Sequence, residues 1–219
     1  MMRFPRWAYV STVLLVALTW MMTGAVYARL PDPMAVHWGP AGAADGFAPR
    51  IWGAWFGPAL LTALAVLLLG LVPLLEPWQH NLRRFRGAYA GVALGLLLFI
   101  ALVQGWVLAW NLGWRGDVRR FLALLFVFLN AGVAWALPRA RPNWFFGIRT
   151  PWTLSSPRVW HETHRAGAVV FGLAAVLSLV AVVWPSALLA MVAWLLLGNV
   201  GLTVYAALRY RRLARETAV

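Results

Sequence analysis

The chain has 219 residues, 63% of them hydrophobic and 11% charged, with a mean hydropathy of +0.74. A water-soluble domain covers itself with roughly a quarter charged residues, so this composition excludes one and points to a chain embedded in lipid. The net charge of +13 comes from arginine alone, in short groups between apolar runs. That pattern fits membrane-flanking charge and offers no continuous basic element for direct nucleic-acid binding. With no cysteine, disulfides, thiolate catalysis and cysteine-based metal sites are excluded.

A lipid core about 30 Å thick takes about 20 helical residues to cross. Uncharged runs of that scale cover 8–28, 53–75, 87–114, 121–138 and 166–208. The first follows Arg3 and Arg6 and ends in Val26-Tyr27-Ala28, which resembles a signal-peptidase site. Its length exceeds the roughly 7 to 15 residues of a signal h-region, so it reads as a retained helix. The last run would make about 65 Å of helix, twice the core thickness, and must fold back. Trp184-Pro185-Ser186 is the breaker near its middle, which makes six spans.

The expected fold is therefore all-α: a polytopic six-transmembrane-helix bundle with two long ordered loops. It divides into a helix pair over 1–75, carrying an extracytoplasmic loop at 29–52, and a four-helix region over 76–219, carrying a cytoplasmic loop at 139–165. With the amino terminus in the cytoplasm, fourteen arginines fall on that side and five, Arg29, Arg50, Arg115, Arg119 and Arg120, on the other. The positive-inside rule then puts both termini in the cytoplasm.

The uncharged spans hold no carboxylate or histidine, which argues against a carboxylate-driven pump. Gln104, Asn111, Asn130 and Asn199 are the strongly polar residues in or near them, and interhelical hydrogen bonding is the expected role. In the first loop, proline and glycine forbid a helix and favour a hairpin-like shape, with Asp45-Gly46 as the turn. His37 and Asp45 approach across such a loop as a stabilising pair, too few to form a metal site.

In the second loop, Ser156-Pro157 is a helix start, with a cap followed by proline at the first helical position. On that helix Trp160, His164 and Gly167 share one face, while His161 and Arg165 share another. His161 and His164 are one residue too close for a His-Glu-x-x-His zinc site. The expectation is no catalytic group, no metal and no cofactor. Trp160 is expected to anchor in the headgroups, with the histidines bonded to neighbouring loops. For Arg149, a lipid phosphate, Glu162 and a partner all remain open.

The run Asn143-Trp144-Phe145-Phe146-Gly147-Ile148-Arg149-Thr150-Pro151-Trp152-Thr153-Leu154-Ser155, followed by Trp160 and Thr163-His164-Arg165, closely resembles the signature of the SdpI-like family of bacterial membrane proteins. The first loop is similar, more loosely, to an uncharacterised domain that often precedes that signature. There Leu30-Pro31-Asp32, His37, Gly42 and Asp45-Gly46 match, whereas Met34-Ala35 and Gly39-Pro40 depart. The resemblance implies a non-enzymatic plasma-membrane protein without a cofactor, related to immunity against a secreted toxin peptide. It also implies that the toxin-bound form holds a cytoplasmic transcriptional repressor at the membrane. The expected ligand or partner surface is Asn143, Arg149, Thr150, Pro151, Trp152, Trp160, His164 and Arg165, with Pro31, His37, Gly42, Asp45 and Gly46 on the outer loop. A carrier or exporter of a neutral or lipid-like substrate, or a structural subunit of a membrane complex, are the alternatives.

Overall fold

The computed structural model describes residues 3–216. In chain order, helix α1 covers Arg6–Val26 and closes in a 3-10 turn, Tyr27–Arg29. Strands β1 (Met34–Trp38) and β2 (Ala44–Ala48) follow. Helix α2 (Arg50–Ala65) passes through a π-helical stretch, Val66–Leu71, into α3 (Val72–Leu75). Pro73 has no N–H to give and its ring crowds the preceding turn; a widened turn upstream relieves that conflict without breaking the span. Then come α4 (Gln79–Arg84), α5 (Arg86–Asn111), α6 (Val118–Ala136), α7 (Pro151–Ser155), α8 (Pro157–Val183) and α9 (Ala187–Glu216).

Six helices among the described residues are long and apolar enough to cross a membrane. The protein is an all-α multi-pass membrane protein, and its last apolar run turns back at Trp184-Pro185-Ser186. Helices α1 and α2 pack on α5, α6 packs on α5 and α8, and α9 packs on α8. Many fully buried core positions are alanine, among them Ala8, Ala54, Ala90, Ala136, Ala174 and Ala206. Lipid tails are as apolar as leucine, so helices gain by close backbone approach through small residues, while many large side chains face outward.

The span-level polar groups divide. Gln104 on α5 donates from Nε2 to the Ala54 carbonyl of α2 at 2.9 Å and to Thr23 Oγ1 of α1 at 3.4 Å. Gly57 makes room for it, since a Cβ there would lie 2.1 Å from Gln104 Oε1. Asn130 of α6 donates to Ser178 Oγ of α8 at 3.4 Å. Both are interhelical, as expected. Asn111 instead holds a strand, and Asn199 bonds only within its own helix.

The first long loop is more ordered than a turn-rich connection, because β1 and β2 form an antiparallel two-stranded sheet. Its reversal lies at Gly39–Ala43, where Gly42 takes φ +84 and donates to the Gly39 carbonyl at 2.8 Å. The expected turn at Asp45-Gly46 is thus corrected: both residues lie in β2. Gly46 pairs with His37, and a Cβ there would come within 2.7 Å of the His37 Cβ, so the pairing itself demands glycine. At the start of α6, Asp117 Oδ1 accepts from the Arg119 N–H at 2.9 Å and caps the helix. The Arg119 guanidinium beside it holds the Asp117 carboxyl below the usual carboxylate range.

Candidate functional site

The 139–165 loop is built around polar groups that are spent on its own frame. Asn143 is fully buried and donates from Nδ2 to the carbonyls of Arg141 and Phe146 at 2.8 and 2.9 Å. Its Oδ1 accepts from the N–H groups of Phe145 and Phe146 at 2.9 and 2.7 Å. One side chain thereby replaces the ladder partners that an irregular, buried backbone lacks.

Thr150 caps α7 in a reciprocal box with Thr153, and Pro151 takes the first helical position. The Thr153 hydroxyl also donates to the Ile148 carbonyl at 2.9 Å. Ser156 caps α8 ahead of Pro157, as its sequence indicates. Trp160 and His164 are both fully buried and stack with centroids 4.0 Å apart. The Trp160 indole donates to the Ala140 carbonyl at 2.9 Å. His164 Nδ1 meets the Trp160 carbonyl at 2.7 Å and must donate, so Nε2 is the acceptor for the Ile148 N–H at 3.0 Å. Gly147, at φ +115, passes so close that a Cβ would sit 2.2 Å from His164 Nε2.

Two expectations change here. Trp160 does not anchor in the headgroups: it is an interior post, because its indole N–H finds a backbone carbonyl inside the loop. Glu162 is not a partner of Arg149. It bonds Arg158 at 3.2 Å on its own helix and Arg209 of α9 at 2.6 Å, tying the two last spans together. Arg149 stays exposed and, among the described residues, reaches only the Trp144 carbonyl.

The candidate residues therefore form two sets. Asn143, Thr150, Trp160 and His164 build the frame, while Arg149, Pro151 and Arg165 stand exposed on it, with Trp152 half-buried. Sequence reasoning overlooked Glu76. This carboxylate is buried at the end of α3 and accepts from the N–H groups of Trp78 and Trp144, each at 2.9 Å. It is the sole acidic residue between Asp45 and Asp117, directly after an apolar run, and that isolation was the available signal. Asn81 and Tyr89 also grip this loop: Asn81 Nδ2 donates to the Pro142 carbonyl at 2.8 Å, and Tyr89 meets Phe146 edge-on at 6.3 Å.

At the hairpin, His37 Nδ1 lies 2.6 Å from Asp45 Oδ1 across the strands. Asn111 accepts from the Ala35 N–H and donates to its carbonyl, both at 2.9 Å. Asp32 accepts from the first N–H of α2 at 3.1 Å, Gly42 rests against Arg119, and Pro31 is exposed. No cluster of three or more potential metal ligands occurs among the described residues.

The model of the SdpI/YfhL protein family matches residues 139–210, which begin with this loop and run through α8 into α9. Over that carboxy-terminal third the chain is similar to the SdpI/YfhL family. A domain of unknown function (DUF1648) matches residues 14–62, spanning the hairpin and the helices on either side of it. No curated protein and no solved structure matches the chain. The buried loop frame and the tie from α8 to α9 both fall inside the matched region.

Proposed function

We propose that this protein is a membrane immunity or sensor protein that meets a secreted antimicrobial peptide, or another envelope ligand, at the hairpin. The response, including contact with a cytoplasmic repressor, runs through the exposed arginines of the 139–165 loop. The observation that carries this reading is the position of α5. At one end its Asn111 clamps Ala35 of the hairpin, and at the other its Tyr89 packs on Phe146 of the loop. A helix of this length spans about 39 Å at 1.5 Å per residue, so one rigid element touches both ordered extramembranous parts. Any hairpin displacement that shifts α5 reaches the loop through packed side chains.

Arg149 and Trp152 are the residues to test. Arg149→Lys keeps the charge and loses the planar fork. In cells exposed to the cognate peptide, Arg149→Lys and Trp152→Ala are expected to insert normally and to lose protection or signalling. Full function in both would sink this reading. A specific feature favours a second one: a cavity of about 410 Å³ between α2 and α5 is lined by Trp52, Phe56, Leu60, Ile100 and Val103, with Gln104 as the polar group. If Gln104→Leu abolishes activity while the Arg149 and Trp152 variants keep it, a carrier of a neutral or lipid-like substrate replaces the sensor.

The arginine asymmetry supports a plasma-membrane topology with both termini and the 139–165 loop in the cytoplasm. Ala43, near the hairpin turn, and Ser155, at the end of α7, are both exposed. Single cysteines there are expected to differ in intact cells: an impermeant thiol reagent labels position 43 and spares 155. The opposite pattern inverts the topology, and labelling at both positions removes the six-span arrangement.

A further inference from the structure

Of the four strongly polar residues in or near the spans, Asn199 is the one whose side chain bonds no other element among the described residues. Its Nδ2 donates to the Leu195 carbonyl of its own helix at 2.7 Å, and nothing among the described residues donates to its Oδ1. The side chain is exposed, about 18 Å along α9 from Ala187 and hence deep within a core about 30 Å thick. Of the six spans, α9 is the least covered. It meets α8 through Trp194, Gly198 and Leu202, buries Met191 and Ala206, and leaves the strip Val192, Leu196, Asn199 and Thr203 bare.

We infer that this strip of α9 is the interface with a second copy of the same chain, related by a twofold axis along the membrane normal. A primary amide with one N–H already used retains one donor and one acceptor, which is the complement of itself. Depth decides the partner. A different membrane protein needs a polar group that happens to lie at the level of Asn199, whereas a second copy in the same orientation necessarily has one there. An isologous contact then pairs the two amides and buries the flanking apolar side chains.

The absence of natural cysteine makes the test direct. In the full chain in membranes, Val192→Cys and Thr203→Cys lie about 20° and 40° round the helix from Asn199, and Leu197→Cys about 160° away. Mild oxidation is expected to give disulfide-linked dimers from the first two and background from the third. Asn199→Leu, at an exposed position whose side-chain hydrogen bond stays within α9, is expected to weaken the dimerisation constant in vesicles about three- to tenfold. Asn199→Gln is expected to restore most of it. Equal crosslinking at all three positions, dimerisation indifferent to Asn199→Leu, or adducts with another membrane protein in place of the dimer each overturn the inference.

Discussion

Gly147→Ala is expected to destabilise the 139–165 loop by about 3 to 5 kcal/mol, the sum of two separate penalties. At φ +115 any side chain is strained, and a Cβ would lie 2.2 Å from His164 Nε2. His164 has nowhere to retreat, since its ring is stacked on Trp160 and bonded at both nitrogens. Moving it strands the Ile148 N–H and the His164 Nδ1–H in a buried setting, each at the cost of an unmade hydrogen bond. Gly87→Ala is the internal control, because nothing lies within 4 Å of a Cβ there and the position is helical. Thermal unfolding in detergent is the measurement. A midpoint for Gly147→Ala no lower than that of Gly87→Ala would mean that the loop is not packed as described.

Glu76→Ala is expected to be the second severe change, at about 2 to 4 kcal/mol, because it leaves the N–H groups of Trp78 and Trp144 without an acceptor. The two bonds use different carboxylate oxygens, so Glu76→Gln keeps one acceptor and is expected to fall roughly midway. Amide exchange separates this from a general loss of stability. Trp78 and Trp144 should exchange faster in Glu76→Ala while amides in the middle of α5 keep their protection. Unchanged exchange at both tryptophans would remove Glu76 from the loop's support.

Much of this architecture was legible along the chain. Span number follows from the length of uncharged runs against the thickness of a bilayer, and the fold at Trp184-Pro185-Ser186 follows from proline's missing donor. The cap of α8 is local chemistry over four residues, so Ser156 is legible in place. The hairpin turn was misassigned for the same local reason. Asp45-Gly46 has turn propensity, but Gly46 is required by the side chain of His37 across the sheet, which propensity does not see.

By itself, then, the sequence determined the class of environment, the spans, the start of α8 and the pair His37–Asp45, because each depends on composition or on residues close in the chain. Only the tertiary structure decided that Trp160 and His164 are interior posts, that Glu76 supports a loop 68 residues away, and that Asn199 faces outward. A polar group in an apolar chain must find a partner. Which partner it finds depends on which helix faces lie side by side, and a linear pattern of apolar runs, equally hydrophobic all round, carries little record of that.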